Sequence, residues 1–110
     1  MSAADLNMSL TNDPDGALVV AVSGELDLAT APLLRDCVSA ALDTTEAGIV
    51  IDLRELHFVD SHGLATLLAL HQQADAAGAP LVLRAPTKRT MDLFALTGID
   101  QLLDVEPEPC

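Results

Sequence analysis

IVIDLRELHFVDSHGLATLLAL, residues 49–70, is the stretch whose reading decides the fold. Ile49 to Leu53 is apolar apart from Asp52, as expected of a central strand covered on a face. Asp60 and Ser61 then fall in a short turn, and an amphipathic helix follows to about Ala77, with Gly78 as its stop. A strand–turn–helix junction of this kind places the Ser61 hydroxyl beside the first free amides of a helix. Unpaired N–H groups and the macrodipole favour anions there. A phosphate on Ser61 would be locally tolerated, yet strongly felt next to Asp60. That is the signature of a switch more than of a catalyst.

Upstream, Leu6, Met8 and Leu10 alternate with polar residues and read as an edge strand. The turn signal Asn12-Asp13-Pro14-Asp15-Gly16 leads into a second apolar strand, Ala17 to Val22, so the two form a hairpin. Gly24-Glu25-Leu26-Asp27 closes that strand, and Thr30 is expected to cap a helix with Pro32 in its first turn. Leu34, Cys37, Val38, Ala41 and Leu42 follow the spacing of one buried helical face. Downstream, Leu81 to Leu83 reads as a strand. Thr87 caps a third helix carrying Met91, Phe94 and Ala95 on one side and ending at Gly98. Ile99 to Leu103 adds a short helical turn, and Val105 a final strand. The order β-β-α-β-α-β-α implies parallel neighbours with right-handed crossovers, hence an α/β fold with a small mixed sheet packed with helices. One domain over residues 1–110 is expected, with an ordered core of about 4–105 and an acidic, proline-containing tail at 106–110.

Composition narrows the function. With 17 acidic and 5 basic residues the formal charge is −12, which disfavours direct binding to nucleic acid or anionic membranes and suits a basic protein partner. Phe58 and Phe94 are the only aromatics, so the core is aliphatic. No apolar run is long enough to insert in a membrane, and the N-terminus lacks a signal-peptide pattern, so a cytoplasmic location is expected. Cys37 and Cys110 make no disulfide framework: Cys37 reads as a small core residue, Cys110 as an exposed one in the tail.

Three motifs stand together: Gly24-Glu25-Leu26-Asp27, Asp60-Ser61-His62-Gly63-Leu64, and Leu93-Phe94-Ala95-Leu96-Thr97-Gly98-Ile99. In this arrangement the chain resembles the STAS family, and within it the free-standing bacterial anti-sigma-factor antagonists. The resemblance implies a STAS-like fold and phosphorylation of Ser61 by a partner that is both anti-sigma factor and serine kinase, with a serine phosphatase to reset it. It also implies a partner-binding surface of Asp27, Asp60, Ser61, His62 and Gly63. The unmodified protein would hold the anti-sigma factor and free a sigma factor for transcription; the phosphorylated one would let go. The departure from the family pattern is His62, where a small hydroxyl residue is usual. The alternative is a phosphate-independent STAS subunit or scaffold of a transporter or stressosome-type complex.

Enzyme readings fare worse. Asp60, Ser61 and His62 are adjacent, and adjacent residues rarely converge as a nucleophilic triad; no Gly-x-Ser-x-Gly elbow is present. His57, His62 and His71 lack zinc spacing, and His71 falls on the stripe of Leu64, Leu67 and Ala74, as a hydrogen-bonded core histidine would. Lys88-Arg89 is the sole basic pair and no phosphate-cradling glycine loop occurs, so no cofactor, no metal and no catalytic residue are expected.

Overall fold

The turn at Asp13 to Gly16 sets the hairpin. The Asp13 N–H donates to the Ala17 carbonyl at 2.8 Å and the Gly16 N–H to the Asp13 carbonyl at 2.9 Å, with Gly16 at φ +95°. The computed structural model describes residues 6–45 and 47–106. The hairpin comprises β1 (Leu6–Asn12) and β2 (Leu18–Leu26). There follow α1 (Ala31–Leu42), β3 (Ile49–Val59), α2 (Ser61–Ala77), β4 (Leu81–Arg84), α3 (Lys88–Thr97), a 3-10 turn over Ile99–Gln101, and β5 (Val105–Glu106). Expectations for residues 4–5 and for the tail at 107–110, Cys110 included, lie outside the described residues.

The strands lie side by side in chain order, β1-β2-β3-β4-β5. Only β1 and β2 pair antiparallel; β2–β3, β3–β4 and β4–β5 are parallel. Successive parallel crossovers that step the same way with right-handed connections set their helices on the same face of the sheet. One continuous core results: Val20, Val22, Ile51, Leu53 and Leu83 from the strands meet Leu34, Val38, Leu67, Leu70 and Phe94 from the helices. On the opposite face Ala17, Val19 and Val50 form a smaller cluster. Also on that face, the Arg84 guanidinium pairs with Glu106 at 2.9 Å and Asp13 at 3.4 Å, tying the hairpin turn to the last strand. β1 is the long outer edge of the sheet, and none of its seven residues is charged.

Several sequence expectations need correction. β2 does not stop at Val22 but runs to Leu26, and β3 runs past Leu53 to Val59. Their extensions pair with each other, Glu25 with Phe58 and Leu26 with Val59, after register shifts between Ala21 and Ser23 and between Gly24 and Glu25. Such bulges turn the strands locally, and Gly24 at φ +105° accommodates the bend. Cys37 and Ala41 are only half-buried, while Ala31 joins the buried face of α1; Ala95 is exposed. The buried stripe of the twelve-residue helix is Ala31, Leu34, Val38 and Leu42, the i, i+3, i+4 spacing of one face, and Cys37 and Ala41 lie at its margin. Thr30 precedes α1 as expected, but its side chain makes no cap bond. The Asp27 carboxylate instead binds the loop N–H groups of Ala29 and Thr30, just ahead of the helix.

Candidate functional site

The C-terminal ends of β2 and β3 lie side by side, and each delivers a loop to the same corner of the sheet. In the β2–α1 loop, Asp27 Oδ1 accepts from the backbone N–H groups of Ala29 and Thr30, both at 3.0 Å. The Ala31 N–H donates to the Asp27 carbonyl at 2.8 Å. Thr30 is turned inward and almost fully buried: its hydroxyl accepts from the Asp27 N–H at 2.9 Å and donates to the Glu25 carbonyl at 2.8 Å. Between these fixed points Leu28 projects outward, 65% exposed.

In the β3–α2 loop, Asp60 is the N-cap of α2, with extended backbone and Oδ1 accepting from the Gly63 N–H at 2.9 Å. The Asp60 N–H donates to the Leu26 carbonyl at 3.1 Å, which latches one loop to the other. Partial burial acts to raise the Asp60 pKa. The backbone N–H of Gly63, then that of Leu28, the His62 imidazole and the His62 N–H outweigh it and hold the carboxyl below its usual value. Asp60 is thus an anchored carboxylate. Its other oxygen, Oδ2, faces His62 Nδ1 at 3.7 Å.

Ser61 is the first residue of α2 and is exposed. Among the described residues its hydroxyl has no hydrogen-bond partner. It borders a shallow apolar depression where α2 meets the 3-10 turn, lined also by Leu64, Leu68, Thr97, Ile99 and Leu102. Leu102 is 57% exposed on the rim. His62 is exposed and directed to Asp60 rather than to Ser61. The structure therefore brings Asp27, Asp60, Ser61 and His62 to one corner.

Gly63 is the exception among the predicted surface residues. It is buried, and a Cβ there would lie 2.7 Å from the Leu26 carbonyl oxygen and 2.7 Å from Val59 Cγ2. Its lack of a side chain lets α2 start against β2. Sequence reading also missed the exposure of Leu28 and Leu102, and it gave Thr30 a capping bond where the hydroxyl instead ties the loop from inside. The spacing Asp27-x-x-Thr30 was the available signal for the loop knot, whereas nothing local marks an exposed leucine as different from a core one.

The remaining candidates separate. His57 is exposed near the end of β3. His71 Nε2 meets Asp104 Oδ2 at 3.0 Å with only 14% of its side chain exposed, the partly buried, hydrogen-bonded residue expected. Among the described residues no cluster of three His, Cys, Asp or Glu side chains could hold a metal ion. None of their helices is long and apolar enough to cross a membrane.

A rigid corner of two latched loops that displays one unbonded hydroxyl is the build of a binding platform, and comparison with known proteins places it. Residues 9–104 match the family model described as "Mlab, STAS domain", and the chain belongs to the STAS domain family. It is 29% identical over 86 residues to the anti-sigma-B factor antagonist of Bacillus subtilis, covering 78% of each chain. The crystal structure of an anti-sigma factor antagonist from Mycobacterium paratuberculosis is 30% identical, with a TM-score of 0.77 over 97% of this chain and 92% of that one. The Bacillus cell fate determinant SpoIIAA in its phosphorylated form shares the fold, with a TM-score of 0.69, 21% identity and 93% of each chain covered.

Proposed function

We propose that this chain is an anti-sigma-factor antagonist working by partner switching in the bacterial cytoplasm. Unmodified, it binds an anti-sigma factor with serine-kinase activity and frees a sigma factor; phosphorylated on Ser61, it releases that partner, and a serine phosphatase restores it. It acts by binding, not turnover. The observation that carries this reading is the exposed, unbonded Ser61 hydroxyl at the first position of α2, beside the anchored carboxylate of Asp60. The anti-sigma factor antagonists among its relatives support the choice of partner.

The physics of release is local. A phosphate adds roughly −1.5 to −2 charges at neutral pH. At a helix N-terminus the domain tolerates it, so nothing need unfold. A partner that met a neutral hydroxyl would meet instead a hydrated dianion beside Asp60. A loss of only about 3 kcal/mol weakens binding more than a hundredfold.

The test is affinity capture from native lysate with wild type, Ser61→Ala and Ser61→Asp, with mass spectrometry of the captured proteins and of Ser61. A kinase-like anti-sigma factor retained by wild type and Ser61→Ala but lost by Ser61→Asp is the expected result. Equal capture by all three, with Ser61 never modified, would refute it and point to a phosphate-independent STAS subunit.

A further inference from the structure

The corner that carries Ser61 also carries two leucines that the core does not use. Leu28 is 65% exposed and Leu102 is 57% exposed. Both are tied to the same dipeptide. Leu28 lies in the loop that the Asp60 N–H latches through the Leu26 carbonyl, and Leu102 lines the depression that Ser61 borders. Leu28 is also held rigidly. Asp27 Oδ1 fixes the N–H groups of Ala29 and Thr30, and Thr30 fixes the Asp27 N–H from inside. A large apolar side chain presented from a fixed backbone docks without the cost of ordering its loop, which is the character of an interface anchor.

Resting on the partner-switching reading, we propose that the anti-sigma factor docks through two apolar contacts flanking Ser61, one on Leu28 and one in the Leu102 depression. Asp27 is then a positioning residue for Leu28, not a direct ionic contact. The occupant has apolar side chains spaced to straddle the serine, and basic groups around them, since the chain it meets carries a formal charge of −12. The arrangement also explains how a phosphate acts over a short range. Between two closing apolar contacts there is no water left to hydrate it, and burying an uncompensated charge is costly. Phosphorylation would therefore disrupt both contacts at once, even where salt screens the charge.

The anti-sigma factor captured by Ser61→Ala and lost by Ser61→Asp is purified and its affinity measured by titration calorimetry against a set of variants. Leu28→Ala and Leu102→Ala should each weaken binding at least tenfold with unchanged melting temperature. Leu28→Met should restore most of the affinity. Leu10→Ala, an exposed leucine on β1 away from this corner, should leave it within twofold. Asp27→Asn keeps the oxygen that accepts the loop amides and should bind within twofold of wild type, whereas Asp27→Ala should not. Wild-type affinity for both Leu28→Ala and Leu102→Ala, with Ser61→Asp still inactive, would overturn the apolar contacts and leave the switch standing. Equal losses in Asp27→Asn and Asp27→Ala would return Asp27 to direct ion pairing. If Ser61→Asp binds like wild type, the partner-switching reading itself fails.

Discussion

Replacing Gly63 with alanine should destabilise the protein by crowding alone. Gly63 lies in the first turn of α2 with ordinary helical backbone, so alanine meets no conformational penalty there. The added Cβ would, however, sit 2.7 Å from the Leu26 carbonyl oxygen, 2.7 Å from Val59 Cγ2 and 2.9 Å from Leu26 Cγ. The carbonyl cannot swing away freely, because it accepts the Asp60 N–H and belongs to a paired strand. Overpacking of this kind costs about 1–3 kcal/mol. The better helix propensity of alanine returns at most about 1 kcal/mol, and less near a helix end. Because one of the atoms 2.7 Å away is a fixed backbone oxygen, the cost falls in the upper part of that range, and the net loss is about 1–2 kcal/mol, which for a domain of this size lowers the melting temperature by roughly 4–16 °C. Calorimetry or urea unfolding of Gly63→Ala measures it. Val59→Ala removes one of the colliding atoms, so the double variant should be less destabilised than the sum of the singles by at least about 0.5 kcal/mol. A Gly63→Ala protein as stable as wild type, or strict additivity with Val59→Ala, would refute the argument.

Ser61→Asp puts a negative charge at the first position of α2, and unfolding experiments should find it as stable as wild type or up to about 1 kcal/mol more stable, so that loss of partner binding is not loss of fold. Asp60→Asn keeps the oxygen that accepts the Gly63 N–H and loses only the negative charge at the helix N-terminus, so it should cost about 0.3–1 kcal/mol near pH 7, where the folded state prefers the ionised carboxylate. Because that carboxyl has a lowered pKa, its contribution is present above the unfolded value of about 3.9 and fades as pH falls through the folded value. The gap between wild type and Asp60→Asn should accordingly close below about pH 4 in urea titrations. Thr30→Val leaves the part-buried Asp27 N–H without its acceptor and should cost about 1–2 kcal/mol, with faster amide exchange across residues 27–31. By contrast, the Asp104 side of the His71–Asp104 pair is largely exposed, so Asp104→Asn should change stability by no more than about 1 kcal/mol in urea unfolding.

How far the sequence carried depended on whether a feature is local. Both ends of α2 were legible because Asp60 and Gly78 act on their own turns: the one caps through Gly63, the other adopts φ +77°. Thr87 was legible for the same reason, its hydroxyl accepting the Thr90 N–H at 3.2 Å. The extension of β2 was not, since Gly24 and Glu25 are poor strand residues held only by distant partners in β3. Asp27 and Thr30 are both good cap residues three positions apart. The choice between them is made by the Glu25 carbonyl, which draws the Thr30 hydroxyl inward and leaves the loop amides to Asp27. Gly63 looked like part of a surface motif, and only the approach of Leu26 gives it a reason to lack a side chain.

The uncharged outer strand has a colloidal consequence. β1 presents a row of unpaired backbone groups along Leu6–Asn12 with no lysine, proline or carboxylate to discourage another strand from adding to it. At neutral pH the protection is global: molecules carrying a formal charge of −12 repel before their edges meet. That defence disappears near the isoelectric point of about 4.1 and weakens in concentrated salt. The acidity that suits the chain to a basic partner thus also keeps it from pairing with copies of itself, and acid or salt should bring on edge-to-edge aggregation before the core melts.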